Sequence, residues 1–81
     1  MKHNCKPPVE YEMRIRLCEE LHRLHEQGWS SVDIADELLC SKSTVSRWQN
    51  GTLFPNPCYL RDLYEIGCDI MYILTGEVTR K

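Results

Sequence analysis

Apolar side chains recur along this chain at helical rather than strand spacing. From Glu10 onward Met13, Leu17, Leu21 and Leu24 form one stripe, with Ile15 and Cys18 on its flanks. Gly28 offers the left-handed residue that ends a helix, so a first helix is predicted over about Val9–Gln27. Ser30 followed by Asp33 is a short form of the capping box that opens a second helix, whose stripe is Ile34, Ala35 and Leu38. That helix must be short, because Ser41 is another good N-cap and Val45 and Trp48 begin a third stripe over about Lys42–Asn50. Asn50-Gly51 stops it and Phe54-Pro55 blocks continuation. Asn56-Pro57 pairs a cap with proline at the first helical position, giving a fourth helix to about Ile66 with Leu60, Leu63 and Tyr64 inward. Asp69 caps a last short helix, Ile70–Leu74, closed by Thr75-Gly76.

No strand-like alternation, internal repeat or low-complexity tract interrupts this pattern. The expected fold is all-α, five short helices around one core. Residues 1–9, with two prolines and no periodicity, are expected to form an arm; residues 10–76 form the domain, and residues 77–81 a polar tail. Trp29 and Trp48 fall at inward positions, which favours packing over a role as stacking platforms for single-stranded nucleic acid.

Composition narrows the class. The 81 residues make one domain, with 42% hydrophobic and 27% charged residues, as in ordinary globular chains. No apolar run is long enough for a bilayer, and the first residues lack the apolar core of a secretory signal, so a cytoplasmic protein is expected. The five cysteines include no C-x-x-C pair; free thiols are expected, with Cys18, Cys40 and Cys68 acting as small buried hydrophobes. The net charge of −2 speaks mildly against a nucleic-acid partner, but the signs separate: Leu38 to Arg61 contains no acidic residue, while Lys42, Arg47 and Arg61 are basic.

That window begins at the end of the predicted second helix and contains the whole of the third. Two short helices joined by about three residues must cross steeply, leaving the second free to enter a DNA major groove. The crossing needs a small residue, Ala35; both helices need inward apolar groups, here Ile34, Leu38, Cys40, Val45 and Trp48. The second needs an outward polar face, and Lys42, Ser43, Ser46, Arg47 and Asn50 supply it.

The segment from Ser30 to Gly51 resembles the helix-turn-helix of phage Cro and CI-type repressors, the XRE-like family, and LRDLYEIGCDIMYILTGE (residues 60–77) is similar to the family's later helices. The resemblance covers about Met13 to Glu77 and implies a five-helix lambda-repressor-like domain that binds double-stranded DNA, Cro-like in organisation because no room remains for a protease-like C-terminal domain. It implies base-facing roles for Lys42, Ser43 and Arg47, with Ser46 beside them. Backbone contacts are implied for Ser30, Ser31, Asn50 and Thr52, and Thr44 is expected to make one as well. Two positions depart from the pattern. Leu39 stands where glycine is usual in the turn, at a cost of roughly 1 kcal/mol if its φ is positive; Gln49 replaces the common glutamate after the buried tryptophan.

The expectation is a sequence-specific repressor working by occlusion, two copies placing their third helices in successive major grooves of a near-palindromic operator. The last helix is apolar nearly all round, so Met71 and Tyr72 are expected at a homodimer contact. The rival reading is a helix-turn-helix protein-interaction module, an antitoxin or a phage-encoded inhibitor of a host defence, favoured by net charge −2 and an acidic first helix. Cys18, His22 and His25 share one helical face as metal ligands might, but on the shoulder of the core stripe, where a solvated face is the plainer account. No phosphate-binding glycine loop, H-E-x-x-H or nucleophile elbow occurs. Neither catalysis, nor a cofactor, a small-molecule substrate or a membrane partner is expected.

Overall fold

The computed structural model describes residues 7–78, with side chains from residue 11; the rest of the expected arm (residues 1–6) and the end of the expected tail (residues 79–81) lie outside the described residues. Five helices follow in order: α1 (Pro7–Glu26), α2 (Ser31–Leu38), α3 (Lys42–Gln49), α4 (Pro57–Glu65) and α5 (Ile70–Thr75), with no strand among the described residues. The described part of the chain is all-α. α1 begins two residues earlier than its periodicity suggests. Pro7 and Pro8 read as breakers, yet in a first turn their missing N–H groups have no partner to lose.

From α2 to α5 each helix starts on the cap its sequence offers. Ser30 and Asp33 exchange both bonds of the capping box, 3.0 Å each, and the Ser30 N–H holds the Asp33 carboxyl below its usual range. Ser41, Asn56 and Asp69 accept from the backbone N–H groups of Thr44, Tyr59 and Tyr72. The ends of α1 to α4 share one motif, while α5 closes with a single bond from the Gly76 N–H to the Tyr72 carbonyl. After α2 the Leu39 N–H reaches the Asp36 carbonyl (3.3 Å) and the Cys40 N–H the Ala35 carbonyl (3.0 Å), the Schellman arrangement. The same pair of bonds closes α1, α3 and α4 around Gly28, Gly51 and Gly67. In α2 the left-handed residue is Leu39, at φ 57° and ψ 44° and 90% exposed.

α1 packs on α3 and α5, α2 on α3 and α4, and α4 on α5. The core they enclose contains Leu17, Leu21 and Leu24 of α1, Ile34, Ala35 and Leu38 of α2, Val45 and Trp48 of α3, Leu63, Cys68 and Ile73. Each large apolar side chain there contributes about 1.5–3 kcal/mol by leaving water. Three inward assignments need correction. Tyr64 is 66% exposed, because Leu60 and Leu63 already set the buried edge of α4. Cys18 and Cys40 are only half-buried, and of the three cysteines expected inside, Cys68 alone is fully so.

One buried carboxylate escapes the periodicity. Glu20, 1% exposed, accepts the Asp69 N–H at 2.8 Å and the Arg23 guanidinium at 2.8 Å, while Arg23 also donates to the Gly67 carbonyl at 2.5 Å. The α4–α5 turn is thereby fastened to the middle of α1. A buried charge is tolerable only when paired and hydrogen-bonded in this way.

Candidate nucleic-acid interface

α3 is an eight-residue helix, too short to hold itself in water, so its position is set by its inner side and its ends. Val45 and Trp48 are fully buried, and the Trp48 ring tilts against Tyr59 of α4 with centroids 5.3 Å apart. At the N-terminus Ser41 accepts the Thr44 N–H at 3.1 Å and its hydroxyl lies 2.9 Å from that of Thr44. At the C-terminus the last carbonyls have no intrahelical donor, and α1 provides them. The Cys18 thiol donates to the Gln49 carbonyl (2.9 Å) and the Trp48 carbonyl (3.4 Å); Arg14 Nη1 donates to the carbonyls of Gly51 (2.9 Å) and Thr52 (3.2 Å). Burial pushes the Cys18 thiol up from its usual range, which keeps it a protonated donor. A cation at that end also complements the helix dipole.

What remains outside is polar. Lys42, Ser43, Arg47 and Asn50 are exposed and Ser46 is half-buried, all on the side of α3 away from Val45 and Trp48. Neither α3 nor its two flanking turns carries a carboxylate, so Lys42 and Arg47 are the charged side chains of this segment on a molecule of net charge −2. Thr44 is half-buried and its hydroxyl is engaged with Ser41. Asn50 Oδ1 accepts from both the N–H (3.1 Å) and the hydroxyl (2.6 Å) of Thr52, leaving the Asn50 amide NH2 as the group it can offer.

Ser30 and Ser31 stand at the start of α2. Ser30 Oγ accepts from Asp33 in the cap, and Ser31 Oγ accepts from Gln49 Nε2 at 3.1 Å. This last bond brings the first turn of α2 beside the last turn of α3. Gln49 Nε2 also lies 2.5 Å from His25 Nε2, while His25 Nδ1 lies 2.6 Å from the Trp29 carbonyl oxygen.

Arg14 and Gln49 are the contributors that periodicity does not single out. Arg14 and Cys18 sit one turn apart on α1, and only that spacing hinted at a shared partner. The Cys18–His22–His25 line does not converge on a common point: Cys18 serves α3, His25 serves Trp29 and Gln49, and His22 lies 3.2 Å from Glu26 in solvent. No group of three metal-ligating side chains occurs among the described residues, and none of the described helices is long and apolar enough to cross a membrane.

The expected dimer residues sit on α5, which packs on α1 and α4. Met71 is half-exposed. Tyr72 is half-buried and its hydroxyl donates to the Glu19 carboxylate, which raises the phenol above its ordinary range. Tyr64 and Met71 stand between two shallow hollows, one edged by Arg61 and the other by Glu65. Compared with protein-family models, with curated proteins and with solved structures, the chain matches none.

Proposed function

We propose that this chain is a sequence-specific double-stranded DNA-binding repressor in which α2 and α3 act as a helix-turn-helix. One observation carries the reading: α3 presents an acid-free polar surface, Lys42, Ser43, Ser46 and Arg47, while its opposite side is buried through Val45 and Trp48. A helix with side chains is about 10–12 Å across and the major groove about 12 Å wide. Arg47 matches the paired acceptors of a guanine, and Lys42, Ser43 and Ser46 read neighbouring positions. Ser30, Ser31, Thr44, Asn50 and Thr52 set register through the backbone.

Two copies reading half-sites about 34 Å apart would occlude a near-palindromic operator. For the homodimer, the exposed Met71, with Tyr64 beside it across the α4–α5 hollows, would supply the apolar part of the contact. Selecting duplexes from a random pool tests the function. A defined sequence should emerge, and its affinity should fall steeply between about 50 and 200 mM salt as phosphate contacts lose their counterion advantage. An unselective pool with salt-insensitive binding refutes the reading. It would favour the rival, a protein-interaction module, for which the exposed carboxylates of Asp36 and Glu37 beside Leu39 on α2 are the supporting observation.

A further inference from the structure

Gln49, on the inner edge of α3, ties together three segments around the start of α2. The Trp29 carbonyl can only accept, so His25 Nδ1, 2.6 Å away, carries the ring proton and Nε2 presents a lone pair. Gln49 Nε2 donates to that lone pair at 2.5 Å and to Ser31 Oγ at 3.1 Å, which uses both amide hydrogens. Ser31 Oγ is therefore an acceptor towards the protein, and its own proton is the one it gives elsewhere. Ser31 is half-exposed and is the first residue of α2, beside backbone N–H groups that have no intrahelical acceptor. A phosphate oxygen only accepts, and needs donors.

We propose that His25 and Gln49 are positioning residues for a DNA phosphate: the ordered donors from His25 through Gln49 hold the Ser31 hydroxyl as a donor towards the backbone at the start of α2. This rests on the DNA-binding reading and explains what an amide does at position 49. A carboxylate there accepts only. It would draw the Ser31 proton inward, favour a proton on His25 Nε2 and set a negative charge beside the phosphate.

The test has two arms. Nitrogen-15 spectra of the DNA-free protein, with the imidazole neutral, should show His25 protonated at Nδ1; protonation at Nε2 overturns the proposal without reference to DNA. In the second arm, a duplex selected by the wild type carries a single uncharged methylphosphonate at each backbone position in turn. One position should weaken the wild type. Ser31→Ala and Gln49→Glu should each lose about tenfold in affinity and become insensitive at that same position, with the double variant no weaker than Ser31→Ala. Gln49→Ala, which frees the hydroxyl to rotate, should lose less than Gln49→Glu; equal losses point to packing alone and overturn the proposal. If the wild type selects a duplex and Gln49→Glu keeps its affinity and phosphate pattern, this inference alone fails. If the wild type selects none, the DNA reading fails and takes the phosphate contact with it. Circular dichroism melts of each variant separate loss of fold from loss of contact.

Discussion

Replacing Leu39 by glycine should make the protein more stable although it deletes a whole side chain. Leu39 sits at φ 57° and ψ 44° and is 90% exposed. The left-handed region costs an L-residue roughly 1–2 kcal/mol through the clash of Cβ with the following carbonyl. Glycine escapes that clash but loses about 0.5–1 kcal/mol through the larger freedom of its unfolded chain. Almost no burial is forfeited, so the balance is a gain of about 0.5–1 kcal/mol. For a domain of this size, roughly 1 kcal/mol moves the melting midpoint by about 4–8 °C. Thermal melts followed by circular dichroism should therefore show Leu39→Gly about 2–8 °C above the wild type. Leu39→Ala is the control: alanine keeps the Cβ and the strain, so its midpoint should stay within about 0.5 kcal/mol of the wild type. Equal midpoints for the two variants, or a less stable Leu39→Gly, would refute the strain argument and mean that the leucine side chain makes a stabilising contact.

Other outcomes follow from the same geometry. Glu20→Ala should lose about 1–3 kcal/mol in urea unfolding, because the buried Asp69 N–H loses its carboxylate acceptor while the half-buried Arg23 keeps the Gly67 carbonyl; a loss under about 0.5 kcal/mol contradicts the network. Alkylation mapped by mass spectrometry should label exposed Cys58 quickly and Cys68 only on unfolding, since burial pushes the Cys68 thiol up to about 12. Because that value is raised from 9.0, the folded state favours the protonated thiol. Its contribution is intact below about pH 9 and drains away as pH rises towards about 12, so alkaline melts should flatten in Cys68→Ala. Arg47→Ala should cost about 1–3 kcal/mol on its preferred duplex and relax choice at one base pair; uniform weakening on all sequences would make Arg47 a phosphate contact. Met71→Glu should shift sedimentation equilibrium towards the monomer, and a wild type already monomeric at tens of micromolar would end the dimer reading.

The helices were legible wherever stripe and cap agreed. Ser30, Ser41, Asn56 and Asp69 all cap the helices that their sequence context assigns to them, since an N-cap is a local bond between residues three apart. The positive φ of Leu39 meets the condition that the resemblance attached to this turn position, where the sequence by itself left the turn geometry open. Long-range polar contacts were not. Nothing near Glu20 in sequence announces that an N–H almost fifty residues away will need its carboxylate, nor that Arg14 will meet the carbonyls of Gly51 and Thr52. Tyr64 misled because it follows Leu63 on a helix whose inward edge is narrow, and an aromatic at the margin satisfies the pattern without being covered. The proposed contact face was legible as a composition, basic and acid-free, whereas the Gln49 bridge that orients Ser31 required the fold to bring α1, α2 and α3 together.

The manner in which α3 is anchored has an evolutionary corollary. Its attachments include two inner side chains, the Gln49 amide, a cap outside the helix, and main-chain carbonyls gripped by Arg14 and Cys18. The carbonyl attachments are indifferent to side-chain identity, and Lys42, Ser43 and Arg47 contribute none of the rest. Substitutions at those three positions should shift stability by no more than about 0.5 kcal/mol. The domain is thus a socket whose reading head can be re-lettered without re-engineering the mount, and lineages built on it can diverge in target while their interiors stay the same.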